Sequence, residues 1–242
     1  LATTAEKTTR ANVALDLYGE EFPTNEAPPK VMDPAIRTKI IIRDPYPGRS
    51  ISSISFGSSQ RVAVCYTPSD STPSTHYESF IYNLECPSVP EYELHPHSPL
   101  MCLEFNAKDQ NYIIGGMAHG SLALWDIRQG SLPCWTSAIE SSHREAVNAV
   151  RWISAKTAFE CVSISSDGNS MTWDTRNSTA PLEVIPLKPA DEMIPDGYTP
   201  PFNAITLDYH TAVPTKYLVG TVDGLVMTVN RKSSDPNTRI SN

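Results

Sequence analysis

Short apolar segments alternate with polar turns from residue 51 onward, a pattern typical of β-strands rather than helices. Asp167-Gly168 and Asp223-Gly224 stand between such segments, and this pair favours tight hairpin turns because it accepts positive φ at little cost. The strands that the pattern predicts cover residues 101–105, 112–116, 121–126, 133–136, 147–152, 160–165, 170–174, 182–185, 203–209, 216–221 and 225–230. The chain is therefore expected to be all-β.

These strands recur as a repeat. Four dipeptides fall in register, namely Tyr82-Asn83, Trp125-Asp126, Trp173-Asp174 and Val229-Asn230. The last interval is the longest, and a proline-rich insertion over residues 186–201 accounts for it. Four strands in about 40–45 residues ending in Trp-Asp is typical of a WD40 β-propeller blade. We predict a partial propeller of about three and a half blades, over residues 51–95, 96–140, 141–186 and 202–242.

The third repeat carries the residue types of a buried hydrogen-bonded tetrad. We predict that His143, Ser165, Asp167 and Trp173 form it, since a turn carboxylate can accept from an imidazole and an indole N–H needs an acceptor when it is buried. The second repeat has His119 in place of the acid, and the fourth keeps Asp223 but has Val229 in place of the tryptophan. The third blade is therefore expected to be held more firmly by buried hydrogen bonds than its neighbours are.

Residues 1–50 differ from the rest, because they are polar and interrupted by prolines. We expect an extended N-terminal arm that becomes ordered by docking, and a strand at residues 39–43 that closes the ring against a last blade outside this chain. The sequence lacks an initiator methionine, so a piece of a longer protein is expected. The arm holds an apolar patch whose side chains are candidate partner contacts: Leu15, Leu17, Tyr18 and Phe22.

Composition and charge narrow the function classes. The net charge is −8 and arises entirely from residues 51–242, which argues against nucleic acid as a partner because affinity there comes from clustered Lys and Arg. The longest apolar runs are too short to cross a membrane, and the N-terminal stretch LATTAEKTTR has no hydrophobic core of a signal peptide. Five cysteines without a CxxC pair favour buried free thiols in a reducing compartment.

Several segments resemble the intermediate chains of axonemal dynein, of the outer-arm type 2. They are IIIRDPYPGRSISSISF, IESSHREAVNAVRWISAKTAFECVSISSDGNSMTWDTR and PTKYLVGTVDGLVMTVNRK. The resemblance covers roughly residues 12–232 and is weakest in the proline-rich insertion. It implies a non-catalytic subunit without a cofactor, whose propeller binds a dynein heavy-chain tail and which pairs with a second intermediate chain. It also implies dynein light chains bound through a region N-terminal to this chain, and a place in the cytoplasm, cytoskeleton and ciliary or flagellar axoneme.

Several other groups of residues resemble phosphate-binding, metal-binding or catalytic sites. The loop Gly115-Gly116…Gly120 lacks the GK[ST] ending of a phosphate cradle, and His95 and His97 lack further metal ligands at a suitable spacing. His143, Ser165 and Asp167 are also the residue types of a nucleophilic triad, but no GxSxG elbow occurs. Arg128 and Arg176 follow the Trp-Asp pairs, and the sequence leaves open whether they form local ion pairs or contact a partner.

Two other functions therefore remain as alternatives to the dynein subunit. A WD40 adaptor unrelated to dynein would read peptides through an acidic and aromatic pocket. A hydrolase would need an exposed serine and an oxyanion hole.

Overall fold

The computed structural model describes residues 39–58, 60–69, 76–153, 158–176, 179–187, 203–209, 213, 215–231 and 237–239. The chain divides into two units, Leu1–Lys39 and Ile40–Asn242. Nearly all of the first unit lies outside the described residues, and with it the predicted contacts Leu15, Leu17, Tyr18 and Phe22. The second unit is described below.

This unit is built of four antiparallel sheets, each with four strands in sequence order. Blade 1 holds β1 (Arg49–Phe56), β2 (Arg61–Pro68), β3 (Ser79–Asn83) and β4 (Pro90–Leu94). Blade 2 holds β5 (Leu100–Phe105), β6 (Tyr112–Met117), β7 (Leu122–Asp126) and β8 (Trp135–Thr136). Blade 3 holds β9 (Val147–Trp152), β10 (Glu160–Ser165), β11 (Asn169–Asp174) and β12 (Glu183–Pro186). Blade 4 holds β13 (Ala204–Tyr209), β14 (Lys216–Thr221), β15 (Val226–Asn230) and β16 (Asn237–Arg239).

The four blades share one register. In every sheet the landmark residue of the third strand pairs with the second residue of the second strand: Tyr82 with Val62, Trp125 with Ile113, Trp173 with Cys161, and Val229 with Tyr217. Because strand side chains alternate between faces, a common register places all four landmarks on the same side of their sheets. Each of them is almost completely buried.

Apolar clusters between neighbouring sheets hold the blades together. Trp125 belongs to the cluster between blades 1 and 2, Trp173 to the cluster between blades 2 and 3, and Val229 to the cluster between blades 3 and 4. The first strands β1, β5, β9 and β13 neighbour one another in that order. This arrangement is an all-β partial propeller, as the sequence predicts, and its four sheets do not close into a ring. Among the described residues no helix has the length and apolarity needed to cross a bilayer.

Residues 39–43 have no regular secondary structure here, and the strand that would close the ring against a further blade stays a prediction. A strand needs a neighbour for its backbone hydrogen bonds, and no described strand pairs with these residues. The segment does lie against blade 1, where Ile42 and Tyr46 pack on the buried side chains that include Tyr66, Phe80 and Tyr82. The hydroxyl of Tyr82 donates to the carbonyl of Arg43 at 3.5 Å.

Arg49 joins this segment to blade 1. Its side chain is fully buried, bonds both carboxylate oxygens of Asp44 and donates to the carbonyl of Glu78 at 2.7 Å. Its guanidinium also lies over the rings of Tyr66 and Phe80, at 4.6 and 5.5 Å from their centroids. A buried guanidinium with this many partners holds the incoming chain against the first blade.

Gly120, in the turn between β6 and β7, marks a close approach between blades 2 and 3. Its φ is +95°, and a Cβ built there would collide with the backbone carbonyl of His143 and lie 3.0 Å from the carbonyl oxygen of Glu145. Since backbone atoms cannot swing aside as a flexible side chain does, only glycine fits this position.

We expect Gly120→Ala to lower the free energy of unfolding by roughly 1–3 kcal/mol more than Gly224→Ala, because of overpacking. Gly224 is the control, since its φ is +78° and no atom lies within 4 Å of its added Cβ. Urea unfolding followed by tryptophan fluorescence measures the difference. Equal losses in the two variants would show that the contact with His143 does not constrain the turn.

Candidate functional site

A buried chain of hydrogen bonds crosses blade 3. The Nε1–H of Trp173 donates to Ser163 Oγ at 2.8 Å, and Ser163 Oγ lies 2.8 Å from His143 Nε2. His143 Nδ1 lies 3.1 Å from Asp167 Oδ2. With Nδ1 protonated, every donor in the chain has an acceptor: indole to hydroxyl, hydroxyl to imidazole, and imidazole to carboxylate.

Asp167 anchors this chain in the turn between β10 and β11. It also accepts from the backbone N–H of Arg144 at 3.1 Å and of Asn169 at 2.9 Å. Burial on its own raises the pKa of the Asp167 carboxyl, but the hydrogen bond from His143 together with those from these two N–H groups outweighs burial and leaves the pKa below its usual range. The carboxylate therefore stays ionised when its partners are in place.

Ser165 does not belong to the chain, and this correction replaces it with Ser163. The Ser165 hydroxyl donates to the carbonyl of Glu145 at 3.0 Å. Both serines lie on the same side of β10 because they are two residues apart, but Ser163 is the one level with the indole N–H and the imidazole. A serine in the middle of the apolar strand ECVSIS was the available signal, because a buried hydroxyl must find a partner.

The order Ser163–His143–Asp167 is also the order of a catalytic triad. Here Ser163 has no exposed surface, and its oxygen already accepts from Trp173. A nucleophilic oxygen must be reached by the substrate carbonyl, so these observations favour a structural role. Among the residues that the structure describes, no cluster of three or more His, Cys, Asp or Glu side chains is placed to hold a metal ion.

Blade 2 has no equivalent chain. Gly115 stands ten residues before Trp125, where Ser163 stands before Trp173, and the Trp125 indole N–H donates instead to the carbonyl of Ser131 at 3.1 Å. His119, in place of the turn acid, bonds Ser121 Oγ at 2.7 Å. The glycines that resembled a phosphate cradle therefore lie within β6 and the turn that follows it.

Blades 1 and 4 depart further from blade 3. In blade 1 the Tyr82 hydroxyl lies 3.4 Å from the hydroxyl of Tyr66. In blade 4 Asp223 is exposed, and a hydroxyl pair between Ser170 and Tyr217, 2.7 Å apart, connects the sheet to blade 3. His95 and His97, the candidate metal ligands, lie in the loop before β5, where His95 Nε2 is 3.4 Å from a carboxylate oxygen of Glu93.

Arg128 and Arg176 occupy the same place in successive blades but make different contacts. The Nε and Nη2 of Arg128 bond the two oxygens of Asp126 at 2.8 and 2.9 Å. Arg176 Nε is 3.5 Å from Asp174. Both backbone N–H groups donate to the preceding aspartate at 3.1 Å, so each aspartate forms a local turn with its arginine.

Three cysteines, Cys65, Cys102 and Cys161, are buried and free. Burial raises the pKa of all three thiols, that of Cys102 to about 12. Thiols with raised pKa values form little thiolate and are poor nucleophiles. These cysteines therefore act as small apolar side chains in the clusters between the blades.

Glu104 carries a partly buried carboxyl group at the junction of blades 2 and 3. Its Oε2 accepts from the backbone N–H of Trp152 at 2.7 Å, and its carbonyl accepts from the indole of Trp152 at 3.2 Å. Arg151 Nη1 is 3.5 Å from Oε1, and Arg151 Nε is 3.9 Å from Asp208 in blade 4. Burial raises the pKa of Glu104 to about 7, although Arg151 and the Trp152 N–H act in the opposite direction.

We expect Ser163→Ala to lower the free energy of unfolding by about 1–3 kcal/mol, because it leaves the Trp173 N–H and His143 without their buried partner. Ser165→Ala is the matched control, on the same strand and also fully buried. Its loss should be about 1 kcal/mol or less, because water can reach the exposed Glu145. Chemical unfolding distinguishes the two, and a larger loss for Ser165→Ala would contradict the assignment of Ser163.

We expect the stability contributed by Glu104 to be present below pH 4.5 and to be lost as pH rises through about 7, because the folded state raises the pKa above the unfolded value of 4.5. Glu104→Gln should therefore gain roughly 1–3 kcal/mol relative to the parent between pH 5 and pH 8. Melting temperatures across this range, with the exposed Glu93→Gln as control, measure it. A constant difference between Glu104→Gln and the parent would contradict the raised pKa of Glu104.

No protein-family model matches the chain. The curated relatives include axonemal dynein intermediate chain 2 of Homo sapiens, which is 38% identical over 96% of this chain and 39% of its own length. Ciliary dynein intermediate chain 3 of Heliocidaris crassispina is 34% identical over 99% of this chain and 41% of its own length. The flagellar outer-arm dynein 70 kDa intermediate chain of Chlamydomonas reinhardtii is 32% identical over 99% of this chain and 43% of its own length.

The chain thus spans about two fifths of the length of these relatives. The matched region contains all four blades, including the Trp-Asp pairs and the buried chain of hydrogen bonds. The resemblance inferred from the sequence is confirmed: over nearly its whole length this chain is similar to axonemal dynein intermediate chain 2 and to the outer-arm 70 kDa intermediate chain.

Proposed function

We propose that the protein is a non-catalytic scaffold subunit of an axonemal outer-arm dynein, in which its propeller binds a heavy-chain tail and pairs with a second intermediate chain. Its place would then be the axoneme of a cilium or flagellum. The observation that carries the proposal is the 32–38% identity to named dynein intermediate chains over nearly the whole of this chain. Because the chain covers only part of those relatives, the partners of the whole protein belong to the proposal.

The blades support a binding role through rigidity. Their surface is set by backbone ladders and by apolar clusters between sheets, so little conformational entropy is lost when a partner docks. The one Ser–His–Asp arrangement found in the described residues is buried and satisfied within blade 3. These features favour a subunit that holds other chains over a hydrolase.

A peptide-binding adaptor unrelated to dynein receives less support. The three relatives described above all carry dynein names, and an unrelated adaptor would not share sequence with them across four blades. Co-purification distinguishes the two functions, because an adaptor would enter no motor complex.

We expect the tagged full-length protein, expressed in ciliated cells, to co-purify with a dynein heavy chain and a second intermediate chain. Replacing the apolar arm residues Leu15, Leu17, Tyr18 and Phe22 by alanine should weaken recovery of the neighbouring subunits severalfold, because the arm is expected to order only on docking. The melting temperature of the blades should not change. Quantitative mass spectrometry of the purified complex measures both effects.

The control changes Glu20 and Glu21 to glutamine in the same stretch, which keeps the apolar positions. Equal recovery from both variants would contradict a docking role for the arm. Failure of the unmodified protein to recover any heavy chain would contradict the proposed function itself.

A further inference from the structure

A row of stacked cations and rings crosses blades 2 and 3. The Arg128 guanidinium lies 5.3 Å from the centroid of the Tyr112 ring, and that of Arg176 lies 5.1 Å from the Phe159 ring. Between them, Tyr112 and Phe159 meet edge to face with their centroids 5.3 Å apart. The row follows the ends of the third strands, because Arg128 comes after Asp126 and Arg176 after Asp174.

The guanidinium groups of Arg128 and Arg176 differ in the acceptors that they contact. Arg128 makes a bidentate pair with Asp126 at 2.8 and 2.9 Å, and Asp109 lies 3.8 Å from its Nη2. Among the residues that the structure describes, Arg176 has one acidic contact, its Nε at 3.5 Å from Asp174. Within the described ranges, the two Nη groups of Arg176 have no acceptor, and its side chain is 42% exposed.

We propose that Arg176 is a docking point for the carboxylate of an acidic side chain on a partner protein, whereas Arg128 serves the fold. Stacking on Phe159 holds the guanidinium plane, so the open Nη edge is already oriented and loses little entropy on binding. A planar fork of N–H donors matches a carboxylate, which it can bind through two parallel hydrogen bonds. This inference rests on the proposed function, since it names the chemistry of one contact of that subunit.

The net charge of the chain limits which acidic segments of a partner Arg176 can bind. The chain as a whole carries a net charge of −8, which would repel a long run of acidic residues. The partner segment is therefore expected to carry a single Asp or Glu at this contact, and not an acidic tail.

Zero-length cross-linking tests the contact in the assembled complex. In the full-length protein, Arg176→Lys keeps the charge and introduces an amine, which a carbodiimide joins as an amide to any carboxylate in direct contact. We expect mass spectrometry to find position 176 linked to an Asp or Glu of another subunit. Arg128→Lys is the control, and its amine should link only within its own chain, to Asp126 or Asp109.

Neutral variants test how much Arg176 contributes to the free energy of association with the partner. Arg176→Gln should weaken association with the neighbouring subunit by at least about tenfold and leave the melting temperature unchanged. Arg128→Gln should do the reverse, because it breaks the pair with Asp126. The inference is overturned if position 176 yields only intrachain links, or if Arg176→Gln binds as the parent does in a complex that still contains the heavy chain. Absence of the heavy chain from the parent complex would instead count against the proposed function.

Discussion

The stacking of each sheet on the preceding one is the constraint on which the rest of the structure depends. A single strand register, repeated four times, puts Tyr82, Trp125, Trp173 and Val229 on the same side of their blades. Three of these side chains fill the clusters between neighbouring sheets, and Tyr82 fills the cluster that receives the incoming chain. A slip of one residue would turn each landmark to the opposite face, so the turns and buried polar groups serve to hold this register.

Blade 3 holds its register by polar means as well. The chain from Trp173 through Ser163 and His143 to Asp167 ties the third strand, the second strand, the entering loop and the hairpin turn together. In a water-excluded site such a chain specifies one geometry, because any displacement leaves a buried group without its partner. Blade 2 relies on close backbone approach at Gly120 instead, which gives adjacent blades different ways of fixing the same architecture.

Much of this architecture could be predicted from the sequence, because it depends on local patterns. Strands β9, β10 and β14 begin and end where the apolar segments predict, and the Asp-Gly pairs form the expected turns. The closing strand at residues 39–43 stays a prediction, because a strand depends on a neighbour that its own sequence does not encode. Ser163 was missed because Ser165 has the same residue type and faces the same side of β10, and only the position of the Trp173 indole distinguishes them. Arg128 and Arg176 could not be separated either, since the geometry of each ion pair is decided by side-chain placement.

Native-state hydrogen exchange tests most directly whether blade 3 is more stable against local opening than blade 4. The account predicts that the amides of β10 and β11 exchange more slowly than those of β14 and β15, because the second pair lacks the buried polar chain and ends in an exposed Asp223 turn. Exchange from blade 3 as fast as from blade 4 would contradict the claim that this chain of hydrogen bonds fixes the register on which the surface for partners depends.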